Sequence, residues 1–188
     1  VMVILVGQAT RLAQFLNTDV KEYDAAVRFG FETDTGDRTG SPKSRVESPK
    51  SVRVEDVAKA LEGFRGEIEQ IPPMYSAKKI DGKKLYEHAR KGETIERKAI
   101  TVTIYELSLL LPPAVSGGLS YDTDTVVIRV RCGAGTYIRT LAEDIGKSLS
   151  IGAHLTELRR TKAGRFSIDE SITLDELAEL ADPLSACR

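Results

Sequence analysis

The stretch from Val126 to Leu149 constrains the fold most strongly, because its hydrophobic period changes once along its length. Alternate residues are apolar from Val126 to Cys132, which predicts a half-buried β-strand. Gly133 and Gly135 interrupt that pattern. The next apolar residues fall on one stripe of a helix: Ile138, Leu141, Ala142, Ile145 and Leu149. The stretch therefore predicts a strand that turns into a helix.

Arg139 lies where this helix is predicted to begin, two residues after Tyr137. A helix N-terminus carries a partial positive charge, so an arginine there is electrostatically unfavourable. A carboxylate or phosphate held in front of the guanidinium would offset that cost. Spacing alone leaves two interpretations open: Arg139 points into water, or it faces a fixed anion.

Composition excludes several classes of protein. The chain has 188 residues, enough for one sizeable domain or a domain and a half, and its 41% hydrophobic and 29% charged residues are ordinary for a soluble protein. No apolar run is long enough to span a membrane, and the two cysteines, Cys132 and Cys187, have no metal-ligand spacing. The histidines, His88 and His154, have no partner motif. We expect a reduced, cytoplasmic protein without a metal site or a membrane segment.

Strand and helix patterns are mixed along the chain without βαβ alternation, which predicts an α+β fold with a mixed, largely antiparallel sheet flanked by helices. Strands are predicted at the N-terminus (VMVILVG), at YDAAVRFGFET, at AITVTIYELSLLL and at DTVVIRVRC, the last two as antiparallel partners. Helices are predicted at QATRLAQFLN, at VRVEDVAKALEGFRGEIEQ, at LYEHARKGE, at the stripe described above and at LDELAELADPL. The segment HLTELRRTKAGRFSI predicts a helical turn followed by a strand.

Residues 33–51 are rich in turn-forming residues and contain the tetrapeptide Ser-Pro-Lys-Ser twice. This composition predicts a mobile loop. A regulatory or nucleic-acid-contacting element is the alternative.

Charge is unevenly distributed, although the net charge is only −1. Residues 75–98 carry eight basic and four acidic side chains, and residues 157–165 carry four basic side chains and one acidic. Residues 166–188 carry six acidic side chains and one basic. This distribution favours one positive face that binds nucleic acid, or else ordinary solvated surfaces.

Two further motifs bear on function. Tyr75 follows a double proline and precedes a run of lysines, which suits stacking on an unpaired base beside phosphate contacts, although a core tyrosine beside wet lysines is the alternative. The sequence GAGT at 133–136 lacks the remainder of a nucleotide-binding motif, and its glycines more simply serve the turn.

Three segments, GTYIRTLAEDIG, PPMYSAKKIDGKKLYEHAR and GAHLTELRRTKAGRF, resemble in order and spacing the bacterial tRNA pseudouridine(55) synthase family. GQATRLAQFL and the TDT-x-D segment upstream match the same family, so the resemblance runs from the first residue to about Leu180. It implies isomerisation of one uridine in the T-loop of tRNA by base flipping and an aspartate nucleophile, without a cofactor or metal. The expected partner is the T-arm of tRNA, bound by a monomer.

The resemblance also implies roles for individual residues. Tyr75 matches the tyrosine that packs on the target ring and is favoured as the base at C5, and Arg139 matches the arginine that pairs with the catalytic aspartate. Tyr137 matches a second pocket aromatic and Leu158 an apolar pocket wall. Charge alone suggests further residues near the RNA phosphates: Lys79, Lys83, Lys84, Arg159 and Arg160.

The chain departs from the family pattern at its start. The nucleophile of the family belongs to a Gly-x-Leu-Asp-Pro type segment before the VMVILVG strand, and no such segment occurs here. Asp24, Asp34, Asp37 and Asp144 stand in other contexts, and none matches. We therefore expect residues 1–188 to form a single pseudouridine synthase catalytic domain that lacks its N-terminal part and any C-terminal RNA-binding domain.

Two expectations follow from this departure. The chain alone should be inactive, because the covalent step has no nucleophile, and apolar surface should be exposed beside VMVILVG. Three alternatives stay open: a catalytically silent tRNA-binding or tRNA-folding module on the same scaffold, a synthase of the same superfamily that acts on another RNA, and an unrelated soluble α+β protein.

Overall fold

A six-stranded sheet carries the core of the computed structural model, which describes residues 1–16, 20–45, 53–80, 82–110 and 125–182. The strands are β1 Lys21–Phe29, β2 Phe31–Thr33, β3 Pro42–Arg45, β4 Gly66–Gln70, β5 Lys79–Ile80, β6 Lys83–Lys84, β7 Ile100–Leu110, β8 Thr125–Cys132, β9 Ala153–Ala163 and β10 Phe166–Ser167. The order across the large sheet is β10-β9-β1-β8-β7-β4, and every neighbouring pair is antiparallel. Strands β2 with β3 and β5 with β6 form two small hairpins. The α+β class with a largely antiparallel sheet is confirmed.

The helices are α1 Ala13–Leu16, α2 Val54–Glu62, α3 Leu85–Ala89, α4 Ile138–Ser148 and α5 Leu174–Glu179. Helix α4 packs against β9, and α2 packs against β7 and α4. The predicted stripe of α4 is confirmed, since Leu141 and Ala142 are 0% exposed and Ile145 is 1% exposed. These side chains meet the sheet residues Val27, Ile128 and Val130 in one core.

A glycine sets how closely α4 lies on β9. A Cβ atom built at Gly146 would lie 2.3 Å from the Ala153 nitrogen, a distance that no side chain can occupy. Because Gly146 has no side chain, the last turns of α4 rest directly on the backbone at the start of β9. Arg139 is on the same helix, and Leu158 is on the same strand.

Three local predictions were wrong, because pairing with a distant strand, or the lack of it, decided the structure of each segment. Val1–Val6 is not a strand, since no strand in the described ranges pairs with it. The predicted helix that begins near Val54 ends at Glu62, and after Gly66, at φ +89°, the chain pairs with β7 as β4. No helical turn forms at His154–Arg160, because the whole segment pairs with β1 as β9.

The segment 33–51 is described as far as Arg45. In that part it forms a turn and a strand, β3, which pairs with β2. The second Ser-Pro-Lys-Ser lies outside the described residues.

Candidate functional site

The Arg139 guanidinium is held by groups from two other parts of the chain. Its Nη1 donates to the Thr35 carbonyl and to Asp37 Oδ2, both at 3.2 Å, and its Nη2 donates to the Tyr75 carbonyl at 2.7 Å. The side chain is 27% exposed. Of the two interpretations left open by the sequence, the structure supports the second: Arg139 faces a fixed carboxylate.

Asp37 is that carboxylate, and its other oxygen is also occupied. Oδ1 accepts hydrogen bonds from Thr35 Oγ1 at 2.8 Å, Thr39 N at 3.0 Å and Thr39 Oγ1 at 2.6 Å. Burial opposes ionisation of the carboxyl, but the hydrogen bonds from Thr39 and Thr35 and the charge of Arg139 outweigh it, so the pKa of Asp37 is lowered. Asp37 is therefore an ionised anchor for the guanidinium.

The turn that presents Asp37 is fixed on both sides. Thr33, which is 2% exposed, donates from Oγ1 to the Asp37 carbonyl at 2.8 Å. Leu155 N donates to the Gly36 carbonyl at 3.0 Å, and Asp37 forms an isolated parallel bridge with Leu155 on β9. The turn between β2 and β3 is thus joined to the central sheet beside Arg139.

Asp37 stands in a sequence context that does not match the nucleophile of the family, so it was not predicted as a site residue. The available signal was the alternation of Thr and Asp in TDTGD, which is typical of side chains that bond their own turn. It identifies a rigid turn, but it does not reveal that the turn lies against Arg139.

A pocket of about 430 Å³ opens beside this ion pair. Its lining comes from the β2–β3 turn, the start of α4 and the middle of β9, and comprises Asp37, Arg38, Thr39, Arg139, Leu155, Thr156, Glu157 and Leu158. The volume lies within the range of about 300–1,000 Å³ that is common for ligand sites. Leu158, predicted as an apolar wall, lines the pocket and is 46% exposed.

The two predicted tyrosines, Tyr75 and Tyr137, border this arrangement without lining the pocket. Tyr75 reaches Arg139 through its backbone carbonyl, so this contact does not require a tyrosine side chain. Tyr137 is the N-cap residue of α4, directly before its first helical residue, Ile138. A third tyrosine, Tyr23 on β1, is half-buried against the core, and burial raises the pKa of its hydroxyl.

The predicted basic residues fall into two groups. Lys79, Lys83 and Lys84 form the β5–β6 hairpin, which is tied to the segment of Tyr75 by the bond from Tyr86 N to the Ser76 carbonyl at 3.1 Å. The Lys84 Nζ lies over the Tyr86 ring, 5.4 Å from the ring centroid.

The second group, Arg159 and Arg160, follows Leu158 on β9. Arg159 is exposed, whereas Arg160 is partly buried and donates from Nε to the Val1 carbonyl at 2.7 Å. One group thus lies next to the segment of Tyr75 and the other next to Leu158, and Arg160 is in part a structural contact.

Within the described ranges, no group of three or more His, Cys, Asp or Glu side chains is arranged to hold a metal ion. Among the helices described above, none combines the length and the apolar character needed to cross a bilayer.

The amino-acid sequence matches two family profiles, one over residues 1–138 and one over residues 139–184. Residues 1–138 match the family profile of the TruB family pseudouridylate synthase N-terminal domain. The chain belongs to the TruB family. Residues 139–184 match the profile of the tRNA pseudouridylate synthase B C-terminal domain.

Curated relatives agree with this assignment. The chain is 48% identical over 177 residues to tRNA pseudouridine synthase B of Aromatoleum aromaticum, covering 94% of the chain and 54% of that protein. It is 44% identical over 184 residues to the protein of the same name from Bacillus pumilus, covering 97% of the chain and 58% of that protein. The TruB-family chain thus spans somewhat more than half the length of these relatives.

Solved structures show the same fold. A chain of a Cbf5–Nop10–Gar1 complex is 29% identical with a TM-score of 0.63, and the match covers 92% of this chain and 39% of that one. A chain of an H/ACA RNP bound to a substrate RNA containing 2′-deoxyuridine is 26% identical with a TM-score of 0.58, covering 92% and 37% of the two chains.

Proposed function

We propose that this chain is the catalytic domain of an enzyme that converts one uridine in the T-loop of tRNA into pseudouridine, without a cofactor. Membership of the TruB family supports the reaction class. The names of its relatives support tRNA as the substrate. We expect it to act as a monomer in the cytoplasm, where tRNA is modified.

The observation that carries the proposal is the Arg139 guanidinium, fixed at 3.2 Å from Asp37 at the edge of a pocket. In the proposed reaction the bond from the ribose to N1 of the uracil breaks, the base turns, and a bond from the ribose to C5 forms. C5 loses its proton, and N1 gains one. Arg139 is proposed to stabilise the carboxylate of the nucleophilic aspartate during the bond-breaking step. A cation that is already held in place in a partly buried site needs no reorganisation as the charge on that carboxylate changes.

We propose that the nucleophilic aspartate is contributed from outside these 188 residues. Asp37 is poorly suited to attack, since Oδ1 accepts three hydrogen bonds and Oδ2 binds Arg139. Asp24 is likewise engaged, with both oxygens on Arg129 at 2.7 and 2.8 Å. Below, "the complete enzyme" means a protein in which this chain is joined to the segment that carries the nucleophile.

RNA contact is proposed for the two basic groups. The β5–β6 hairpin with Lys79, Lys83 and Lys84 is proposed to neutralise phosphates, and so are Arg159 and Arg160, which follow the pocket residue Leu158 on β9. Leu158 and Tyr137 are proposed to contact the flipped base, as an apolar wall and an aromatic neighbour.

Release of tritium from tRNA labelled at uridine C5 tests the function directly. The complete enzyme should release it, and the 188-residue chain should bind the same tRNA without release. Release by the chain alone would contradict the placement of the nucleophile. Binding without release by the complete enzyme would instead favour the silent tRNA-binding module, and release only from other RNAs would favour the synthase that acts on another RNA.

The role of the Tyr75 hydroxyl needs a separate test. Tyr75→Phe keeps both the ring and the carbonyl that binds Arg139, so a large loss of turnover assigns the C5 proton to that hydroxyl. Tyr23→Phe is the matched comparison, because Tyr23 also presents a half-buried phenol. If only Tyr23→Phe loses turnover, the assignment to Tyr75 is wrong.

A further inference from the structure

Helix α4 carries Arg139 but has no cap of its own. Its N-cap residue is Tyr137, and no side chain of the helix bonds the free backbone groups there. The third residue of the helix is Thr140, where a capping box would have Glu or Gln bonded to the N-cap nitrogen. Arg139, in the first turn, adds an unfavourable charge at this end. The helix start that presents Arg139 therefore depends on a group from elsewhere.

Gln70, the last residue of β4, supplies that group. Its side-chain oxygen Oε1 accepts from Tyr137 N at 2.9 Å, and its Nε2 donates to the Tyr137 carbonyl at 3.3 Å. Gln70 is 1% exposed, so water does not compete for either bond. The amide makes the bond that a capping-box side chain would make, from a strand that precedes the helix by 67 positions.

The same short segment also holds the guanidinium. Five residues after Gln70, the Tyr75 carbonyl accepts from Arg139 Nη2 at 2.7 Å. Between them lie Pro72 and Pro73, which restrict the backbone, and Arg97 donates to the Pro72 carbonyl at 3.1 Å. Residues 70–75 therefore contact both the backbone at the start of α4 and the end of the Arg139 side chain.

We propose that Gln70 is a positioning residue: its buried amide fixes where α4 begins and thereby the placement of Arg139 beside the pocket. This inference rests on the proposed function for its catalytic consequence, and on the Gln70–Tyr137 contacts for its structural part. A displacement of about 1 Å in a catalytic group costs on the order of 100-fold in rate. Loss of the Gln70 amide should therefore lower turnover without weakening the binding of tRNA.

Two variants separate the two bonds of the amide. Gln70→Met has similar length and neither bond. Gln70→Glu keeps the acceptor for Tyr137 N, but its second oxygen must be protonated to donate to the Tyr137 carbonyl. Burial raises the pKa of a carboxyl, and the neutral form reproduces the glutamine. Gln70→Glu should therefore recover activity as pH falls, a recovery that the Met variant cannot show.

The first measurement uses the 188-residue chain and needs no activity. Hydrogen exchange by NMR should show the Tyr137 amide protected in the wild type and in Gln70→Glu, and at least 10-fold less protected in Gln70→Met. The amides of Ile128 and Val130 on β8 should keep their protection. Val102→Ala is the control for general destabilisation, since Val102 is a core residue of β7 that makes none of these contacts. Equal exchange at Tyr137 in wild type and Gln70→Met would overturn the proposal.

The second measurement uses single-turnover tritium release by the complete enzyme. Gln70→Met should lose on the order of 100-fold in rate with an unchanged Kd for tRNA, and Gln70→Glu should approach the wild-type rate as pH falls. A loss that Val102→Ala reproduces, or a Gln70→Glu profile parallel to that of Gln70→Met, overturns the positioning role. Absence of release in the wild type rejects the proposed function instead, and the exchange result at Tyr137 then stands by itself.

Discussion

Val1–Leu16 and helix α4 are both rich in apolar residues, but only α4 buries them. Met2, Ile4 and Phe15 are 73%, 64% and 66% exposed, whereas Leu141 and Ile145 are 0% and 1% exposed. The difference is the presence of a partner, since α4 lies on β9 and no described strand pairs with Val1–Val6. A hydrophobic pattern therefore indicates which face of a segment is suited to burial, but not what covers it.

The same contrast holds for polar contacts. The start of α4 is bonded to two distant segments, one through Asp37 and the other, residues 70–75, through Gln70 and Tyr75. The N-terminal segment is tied across the chain at Arg160, which bonds both the nitrogen and the carbonyl of Val1. The unfolding free energy and the turnover should therefore depend strongly on α4 and weakly on Val1–Leu16.

The largest expected effect is that of Arg139→Ala. In the complete enzyme it should reduce turnover by on the order of 10³-fold, because the fixed cation of the site is lost. The fold should persist, since Asp37 keeps its three threonine donors. Tritium release and thermal unfolding measure the two effects. Arg53→Ala, at the N-cap residue of α2, whose side chain is 72% exposed, is the matched control, and equal losses of turnover in both variants would show that the loss is not specific to the site.

The contributions of α4 and Val1–Leu16 to the unfolding free energy can be compared with one substitution in each. Ile145→Ala should cost about 2–5 kcal/mol of unfolding free energy, because it leaves a cavity between α4 and the sheet. Ile4→Ala should change it by no more than about 0.5 kcal/mol, because the side chain is already exposed. Urea unfolding of the 188-residue chain gives both values. Equal costs would mean that Val1–Leu16 is covered in solution.

Asp37→Asn should lower turnover by about 10- to 100-fold, because the hydrogen-bonded turn survives while Arg139 loses its counter-charge. The variant should also alter stability in acid. Since the pKa of Asp37 is lowered in the fold, its contribution is present above the unfolded value near 3.9 and is lost as pH falls through the folded pKa.

Urea unfolding between about pH 2 and pH 6 tests the second part. The wild type should lose more stability than Asp37→Asn over the acid part of that range. Asp175→Asn, in the first turn of α5, is the control. Parallel curves of unfolding free energy against pH for wild type and Asp37→Asn would show that the Asp37–Arg139 ion pair does not stabilise the fold.

The smallest expected effect concerns RNA affinity. Lys83→Gln should weaken binding to tRNA and reduce the slope of log K against log salt by about 0.7–0.9, the contribution of one phosphate contact. Lys59→Gln in the last turn of α2 is the control, since it lies outside the proposed RNA surface. An unchanged slope for Lys83→Gln would remove the β5–β6 hairpin from that surface.

Much of the fold follows from local signals. Helix α4 and strands β7 and β8 were predicted because each displays its own period in the sequence, and β7 and β8 are neighbours along the chain and in the sheet. β9 was partly mispredicted, because LRRTK shows no clean alternation and becomes a strand only through its pairing with β1. Strand β4 was missed because the helical pattern of α2 was extended to Gln70, although the strand begins at Gly66.

The residues of the site also fall into those that local sequence identifies and those that it does not. TYIRT identifies Arg139 from within a few residues, and the structure gives it the facing carboxylate that a helix start calls for. The identity of that carboxylate was beyond local reasoning, because Asp37 and Arg139 are 102 positions apart. Gln70 was missed for the same reason, since nothing in GEIEQ distinguishes a buried amide from an ordinary strand end.

The direct contact between Gly146 and the backbone at Ala153 has a consequence for the opposite end of the helix. Helix α4 is a rigid rod, and position 139 lies about 10 Å along its axis from position 146. Any side chain at 146 would tilt the rod away from β9 and move the guanidinium relative to Leu158, although it touches neither. A substitution at this glycine is therefore expected to impair the site from a distance, without loss of any residue of the pocket or of the proposed RNA surface.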